Sequence, residues 1–310
     1  KDVDPDLDSS NTREKKQPIV LHTVGFNLAG YAKNLMGNMA RASGTDPYFV
    51  DSSDTLAQAL VDISTSIANK ASSFTRPTLA VSTFNNLEHR DQVYYSLFEP
   101  SANPGWIGNL KRYKINAKGQ IIDANDSVAV DPDTGAFKDT AKSFWTTSTA
   151  PDGASVSAGG MAKRLEARKV YSNLSGSSNA VIISSNNLVT ETNTSITTSM
   201  LGVSSSDART SVLRWARGID DSGNETQFIG DPLHTNPTLV SYGSGSSVTD
   251  VLYMGTNAGY LHAFDTSQSA PKELWAFIPK RLLPNLTAYK TGVSDAEKTY
   301  GLDGPITLFH

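Results

Sequence analysis

The segment VLYMGTNAGYLHAFDTSQSAPKELWAFIP, from Val251 to Pro279, indicates the fold most clearly. From Asp250 onward, the β-prone runs DVLYMGT, YLHAF and LWAFI are separated by the turn-forming segments NAG and DTSQSAPKE. A further run, HTNPTLVSY, precedes them at His234 to Tyr242. Short β-prone runs separated by Gly, Asn, Asp and Ser are typical of antiparallel strands. The pattern predicts four short antiparallel strands, the last with a tryptophan, which is the arrangement of one β-propeller blade.

A single blade cannot bury its own faces, so it needs neighbouring sheets. The last segment, YGLDGPITLFH at 300–310, is interpreted as the start of the next blade. The chain is therefore expected to end in mid-propeller.

The region upstream of this blade also has an all-β pattern. The runs TLAVST, QVYYSLFEP, WIGNLKRYKIN, GQIID and SVAV alternate with turns, as in a barrel, sandwich or propeller. In WIGNLKRYKIN, we expect Trp106 and Leu110 to face inward, whereas Lys111, Arg112 and Lys114 stay in solvent.

Three further segments lie between these runs. SAGGMAKRLEAR is interpreted as a short helix that begins at the glycine pair Gly159 and Gly160. Such a pair could cradle a phosphate, although tight packing is the other interpretation. The Ser-, Thr- and Asn-rich stretch 172–206 contains one predicted strand, AVIIS, and DARTSVLRWARGID is a predicted helix.

The first 72 residues follow a different pattern. The strand-like runs PIVLHTVGFNL and PYFVD alternate with the helical patterns YAKNLMGNMARASG and SSDTLAQALVDISTSIANKA. Leu35 and Met39 share one face of the first helix, Leu56, Ala59 and Leu60 one face of the second. Strand, helix, strand and helix in this order predict parallel strand pairing. We therefore predict two domains, 1–72 and 73–310.

Composition limits the possible functions. The 310 residues are 38% hydrophobic and 19% charged, and the formal net charge of -4 offers no basic excess for nucleic acid. No run approaches the roughly 20 apolar residues of a membrane helix. Without cysteine, the chain can form neither disulfides nor thiolate sites. The start KDVDPDLDSSNTREKK has no signal peptide, so position 1 is expected to be a processed end or a cut inside a longer protein.

Three acidic segments are candidate calcium sites. The alternate acids of DVDPDLD are Asp2, Asp4, Asp6 and Asp8, but an EF-hand loop counted from Asp2 lacks its glycine and its final acid. The turn GIDDSGNETQFIGD brings together Asp220, Asp221, Asn224 and Glu225. Asp131 and Asp133 form a third, weaker candidate in a turn that Pro and Gly already explain. A disordered tail or an ordinary hydrophilic turn is the competing interpretation of each.

No catalytic motif is present in the sequence. His22, His234 and His262 lack paired metal-ligand spacing, so structural hydrogen bonding is the favoured interpretation. Neither Gly-x-Ser-x-Gly nor His-Glu-x-x-His occurs. The four tryptophans could form a ligand-binding cage, but packing between blades is the favoured interpretation. They are Trp106, Trp145, Trp215 and Trp275.

Part of the first 72 residues resembles the C-terminal end of a von Willebrand factor A domain. The segments that carry this resemblance are HTVGF, a helix and YFVDSSDTLAQAL, in this order. That family binds a divalent metal through an Asp-x-Ser-x-Ser loop near its start. Here the loop is missing, and Asp51 to Ser53 is interpreted as a helix cap. No metal site is carried over from the family.

Most of the chain resembles the PilY/PilC family of type IV pilus tip-associated biogenesis factors and adhesins. The motifs, in order, are YYSLFEPSANPGWIGNLKRYKIN, SAGGMAKRLEARKVY, GDPLHTNPTL, LYMGTNAGYLHAFDT, ELWAFIPKRLLPNL and YGLDGP. Each motif alone has modest specificity for this family, but the six motifs in this order are fairly specific to it. The motif residues are Trp106, Gly108, Asn109, Leu110, Gly159, Gly160, Gly230, Asp231, His234, Gly255, Gly259, His262, Ala263, Phe264, Asp265, Trp275, Pro279, Asp303 and Gly304.

This resemblance implies a mixed architecture: the C-terminal portion of an α/β von Willebrand factor A-like domain followed by an incomplete all-β propeller with quinoprotein-like blades. It implies a non-enzymatic, exported protein at the pilus tip or cell surface, with a periplasmic or outer-membrane pool. Minor pilins and a host or abiotic surface ligand are the implied partners. Several members bind calcium through an Asp-rich loop. That loop is not found here, so any calcium is expected mainly outside this sequence.

Two alternatives stay open. A periplasmic quinoprotein-like propeller, either a dehydrogenase or an assembly scaffold, shares the blade pattern but would need calcium-ligating acids that face a cofactor. An extracellular adhesin unrelated to pili would be distinguished by whether it binds minor pilins.

Overall fold

The structure is a computed structural model. It describes residues 21–70, 74–79, 91–101, 105–132, 135–166, 168–174, 181–243, 248–267, 270–292 and 300–308. The chain divides into two compact units, one made of 1–72 with 132–134 and the other of 73–131 with 135–310. Helices and sheets occur together, and no sheet closes on itself within the described residues.

The first unit alternates strands and helices. Its elements are β1 (Val24–Phe26), α1 (Gly30–Ala42), β2 (Tyr48–Val50) and α2 (Ser53–Lys70). β1 and β2 pair in parallel, which confirms the pairing predicted from the sequence. After α1, Gly44 has a φ of +77° and donates its N–H to the carbonyl of Arg41. A left-handed glycine that satisfies a free carbonyl is the usual end of a helix.

The predicted apolar helix faces are only partly covered. Ala40 and Ala59 are buried, but Leu35, Met39 and Leu60 each expose about half of their surface. A two-stranded sheet of three-residue strands is too small to cover both helices.

The second unit contains two five-stranded sheets. Its strands are β3 (Phe74–Leu79), β4 (Gln92–Glu99), β5 (Ile107–Ile115), β6 (Ile121–Ile122), β7 (Val170–Tyr171), β8 (Ile229–Gly230), β9 (Thr238–Tyr242), β10 (Thr249–Gly255), β11 (Leu261–Asp265) and β12 (Lys272–Phe277). The first sheet has the order β3-β4-β5-β6, and β8 also pairs with β5. The second has the order β7-β12-β11-β10-β9.

The second sheet contains the four strands predicted from Val251 to Pro279 and the run before it. β9, β10, β11 and β12 pair in sequence as an antiparallel meander, which confirms that prediction. A fifth strand, β7, joins β12 in parallel from far upstream and was not predicted as part of this sheet.

Side chains from both sheets form one buried cluster. Tyr94 and Leu110 come from the first sheet, Leu252 and Phe264 come from the second, and Trp145 lies among them. A second cluster joins the end of the meander to α3 (Ser206–Ala216) and α4 (Asn285–Thr291). The predicted helix at α3 is confirmed, and its N-cap Ser205 accepts a hydrogen bond from the N–H of Ala208.

The prediction that Lys111 and Arg112 stay in solvent is wrong. Lys111 is completely buried, and its ammonium donates to the carbonyls of Asp152 and Gly153 and lies 3.1 Å from the Asp152 carboxylate. Arg112 is 2% exposed and stacks over Phe144. Burial lowers the pKa of Lys111, and the charge of Asp152 opposes this shift.

Two predicted elements are replaced by turns. Within the described residues of the predicted helix, 157–166 and 168, there is only a 3-10 turn, Ala162–Arg164, because Gly159 and Gly160 have φ of +57° and +65° and break the helical path. The predicted strand AVIIS is absent from its described part, 181–184, where the side-chain amide of Asn187 binds two backbone carbonyls.

The segment interpreted as the next blade also contains no strand within 300–308. Instead, it lies against the turn between β10 and β11. The N–H of Leu302 donates to the carbonyl of Thr256 in that turn at 2.9 Å.

Candidate functional site

Two motif glycines bring β5 and β8 into close contact. Gly108 pairs with Ile229, next to Gly230. A Cβ atom on Gly108 would overlap the carbonyl oxygen of Gly230, and one on Gly230 would overlap Ala258. Only glycine fits at both positions, so the motifs around residues 108 and 230 depend on each other sterically.

The motif residue Asn109 binds the loop that contains the glycine pair Gly159 and Gly160. Its amide nitrogen donates to the carbonyls of Val156 and Gly159, at 2.8 and 3.0 Å. Its amide oxygen accepts from the N–H of Ala162 at 3.0 Å. The protein itself supplies the polar partners here, which favours tight packing over a phosphate cradle.

A buried polar pair connects two more motifs. Asp231 and Asn257 are almost completely buried, and the Asn257 amide donates to the Asp231 carboxylate at 2.7 Å. The other amide atom of Asn257 accepts from the N–H of Gly301 at 3.2 Å. Gly255 must be glycine because a Cβ there would overlap the carbonyl of Leu302.

The motif at 300–304 is also held by the segment before β9. Nδ1 of His234 lies 2.7 Å from the Asp303 carboxylate. The hydroxyl of Thr235 donates to the carbonyl of Gly304 at 3.1 Å. GDPLHTNPTL therefore contacts both the β10–β11 turn and YGLDGP.

His262 belongs to a buried charged triad with Glu273 and Arg168. The guanidinium of Arg168 donates two hydrogen bonds to the Glu273 carboxylate, at 2.7 and 3.1 Å. Nδ1 of His262 lies 2.7 Å from the same carboxylate. A bulge between Ala263 and Phe264 shifts the register of β11 against β12, which brings Glu273 to the same face as His262.

The triad has a definite charge state. Burial would raise the pKa of Glu273, but the charges and hydrogen bonds of Arg168 and His262 together outweigh burial and lower it to about 2. Burial lowers the pKa of His262, and Glu273 opposes this only in part. The histidine is therefore neutral at pH 7 and donates from Nδ1. Since both side chains are at most 1% exposed, they hold the sheet together and do not reach a substrate.

The sequence patterns alone did not indicate a role for Glu273 and Arg168. An acid and a base within otherwise β-prone runs, KELWAF and EARKVY, were the available signals. Their sequence separation of 105 residues hid the pairing.

The acidic turn binds its own backbone and neighbouring side chains. The Asp220 carboxylate accepts from the N–H groups of Ser222 and Asn224, at 2.9 and 2.8 Å. The Asp221 carboxylate binds Ser211 and the ammonium of Lys290. Asn224 donates its amide to Asp220. The fourth candidate, Glu225, has an exposed side chain on the far arm of the hairpin.

The described residues contain no group of three or more His, Cys, Asp or Glu side chains that could hold a metal ion. Asp2, Asp4, Asp6, Asp8 and Asp133 lie outside the described residues. Asp131 forms the predicted turn through its backbone, which pairs with Gly135 and Ala136.

Each tryptophan packs against a different ring. Trp106 stacks on Phe98, Trp145 lies against Tyr94, Trp215 against Phe228 and Trp275 against Tyr253. His22 is the histidine without a hydrogen-bonded ring atom among the described residues.

The remaining motif residues belong to the meander and its turns. Gly259 has a φ of +91° in the β10–β11 turn, and Asp265 caps the turn after β11 by accepting from the N–H of Ser267. Pro279 accepts from the N–H of Leu282 at the start of a 3-10 turn.

No family model, curated protein or solved structure matches the chain. In the part of the chain that the structure describes, no helix has the length and apolar character needed to cross a membrane.

Proposed function

We propose that the chain belongs to a non-enzymatic type IV pilus tip protein of the PilY/PilC type. It would prime pilus assembly with minor pilins and mediate surface adhesion and control of retraction. In this proposal, residues 1–72 are the end of a von Willebrand factor A-like domain and residues 73–310 the N-terminal part of a propeller. The protein would be exported to the pilus tip and cell surface, with a periplasmic or outer-membrane pool.

One observation supports this proposal most: motifs that are distant in the sequence contact one another through the residues that define them. Asp231 binds Asn257, His234 binds Asp303, and Gly108 fits only against Gly230. Contacts of this kind suit a rigid scaffold. The antiparallel meander packed against a second sheet is also compatible with consecutive blades.

The mechanism would be scaffolding. The propeller would dock on minor pilins, and the N-terminal module would project outward to contact a host or abiotic surface. Calcium would bind mainly through residues outside this sequence. The second and weaker candidate for calcium binding is the turn with Asp220, Asp221, Asn224 and Glu225. Its carboxylates would have to break their present hydrogen bonds before they could bind calcium.

The test is immunogold labelling of pili with an antibody to this chain, together with pilus counts in a strain that lacks the full gene. We expect label at filament tips and a loss of pili. Periplasmic label with normal piliation would overturn the proposal and favour a quinoprotein-like propeller. Tip label without binding of purified minor pilins would instead favour a plain adhesin.

A further inference from the structure

A cavity of about 320 Å³ in the second unit is lined by strands of both five-stranded sheets. The first sheet contributes Gln92 on β4 and Arg112 on β5. The second contributes residues at the start of β10 and at the end of β11, and Val248 just before β10 is an apolar part of the wall. This volume is at the lower end of the roughly 300–1,000 Å³ of small-molecule sites, which leaves room for one small ring.

The polar side chains of this cavity differ in depth. Arg112, Asp250 and Thr266 are 2%, 7% and 4% exposed and form its floor. Thr249 and Ser267 are exposed and form its rim. A ligand that enters therefore meets hydroxyl groups first and charged groups last.

Two planar side chains in this cavity have one half bound by the protein and the other half open. The hydroxyl of Tyr94 donates to Oε1 of Gln92 at 2.7 Å, and Nε2 of Gln92 has no partner within the described residues. The N–H of Ser267 donates to Oδ1 of Asp265 at 2.9 Å, and Oδ2 has no partner there either. The protein thus holds an open donor and an open acceptor in place before any ligand binds.

Contacts with the protein also fix the floor of the cavity. The hydroxyl of Ser241 donates to the Asp250 carboxylate at 2.7 Å, and the hydroxyl of Thr266 donates to the Asp250 carbonyl at 3.1 Å. The guanidinium of Arg112 lies over the ring of Phe144, 5.5 Å from its centroid. Side chains that are already held lose little freedom when a ligand binds.

The charges of the cavity disfavour a simple ion. Asp250 and Asp265 are acidic and Arg112 is basic, so an anion meets two carboxylates and a cation meets a guanidinium. Neutral hydroxyl groups avoid both conflicts, because each can donate to a carboxylate and accept from an amide or a guanidinium.

We propose that this cavity binds one ring of a neutral saccharide. Oδ2 of Asp265 would accept from one sugar hydroxyl and Nε2 of Gln92 would donate to another, while Thr249 and Ser267 contact the ring from the rim. A saccharide is the matching ligand class because it carries no charge and presents several hydroxyls around one ring. The inference rests on the proposed adhesion only for its biological role, in which the surface ligand would be a glycan.

Saturation-transfer NMR of the full chain tests this proposal with D-galactose, D-mannose and N-acetyl-D-glucosamine. Tetrahydropyran, a ring without hydroxyls, and the cation putrescine are the controls. We expect saturable binding of at least one sugar with a Kd of about 1–10 mM, and no saturable binding of either control. Absence of binding by all three sugars, or equally tight binding of a control, would overturn the proposal. Neither result depends on tip labelling of pili, so the two proposals fail separately.

Matched variants locate the binding. Asp265→Asn keeps an acceptor for the N–H of Ser267 but replaces the open oxygen with a donor, so it should weaken sugar binding at least about fivefold. Asp139→Asn removes an exposed carboxylate that does not line the cavity and should bind as the parent protein does. Equal loss in the two variants would indicate only a general charge effect and would contradict the proposal.

A third variant covers the case that Asp265→Asn does not fold. Gln92→Glu keeps the acceptor for the Tyr94 hydroxyl and replaces the open amide donor with an acceptor, so it should also bind sugar more weakly than the parent. Unchanged affinity in a folded Gln92→Glu variant would show that Gln92 does not bind the saccharide and would refute this placement of the ring.

Discussion

His262 on β11 and Glu273 on β12 face each other across neighbouring strands, with Nδ1 of the histidine 2.7 Å from the glutamate carboxylate. The same carboxylate binds Arg168 from outside the meander. Glu273 therefore holds two basic side chains, and β12 cannot shift its register without breaking both contacts.

Glu273→Gln should destabilise the protein by about 3–5 kcal/mol, because it leaves the Arg168 guanidinium buried without a counter-charge. Urea unfolding at pH 7 measures this change. Glu166→Gln, which changes an exposed acid, is the matched control and should stay within about 0.5 kcal/mol of the parent. Similar effects in both variants would contradict a special role of the triad.

Folding stability should fall as the pH decreases from about 7 to about 5. Burial holds the pKa of His262 below its usual 6.5. In this interval the unfolded chain binds a proton that the folded chain does not, so lower pH favours unfolding, by up to about 1.4 kcal/mol per pH unit. His262→Gln should flatten this slope, and His234→Gln, which changes a half-exposed histidine, should not. Equal slopes in the parent and His262→Gln would refute the assignment.

Lys111→Met should cost about 3–5 kcal/mol, although methionine suits a buried strand position. The loss arises because the Asp152 carboxylate, 1% exposed, then lacks its positive partner. Lys114→Met on the same strand, where the lysine is one-third exposed, should change stability by less than about 1 kcal/mol. Thermal unfolding of both variants provides the comparison.

Gly160→Ala should be far more damaging than Gly202→Ala, although both glycines have a φ of +65°. A Cβ on Gly160 would lie 2.6 Å from the Asn109 amide oxygen, whereas nothing lies within 4 Å of one on Gly202. The shared φ costs about 1–2 kcal/mol in each variant. Any excess in Gly160→Ala measures the clashes with the Asn109 amide oxygen and with the Leu110 carbonyl oxygen, which would lie 2.8 Å away, and comparable losses would show that these contacts are unimportant.

The sequence pattern predicted those helices and strands that are stabilised by contacts between residues close together in the sequence. The meander from β9 to β12 could be predicted because adjacent β-prone runs with short turns pair in sequence. The helix at α3 has its own cap and apolar face. The buried lysine could not be predicted, since the partner of Lys111 lies 41 residues away on a loop. The glycine motifs were recognised, but the atoms that exclude a side chain there are known only from the fold.

The parallel pairing of β7 with β12 constrains the order in which the second sheet can be completed during folding. The meander can form from one continuous stretch, but its fifth strand lies about a hundred residues upstream and must wait for β12. Closing so long a loop is entropically expensive and slow compared with hairpin formation. The Arg168–Glu273 contact should therefore form late, after translation has passed residue 273, and mutations in β7 should mainly accelerate unfolding and leave the folding rate nearly unchanged.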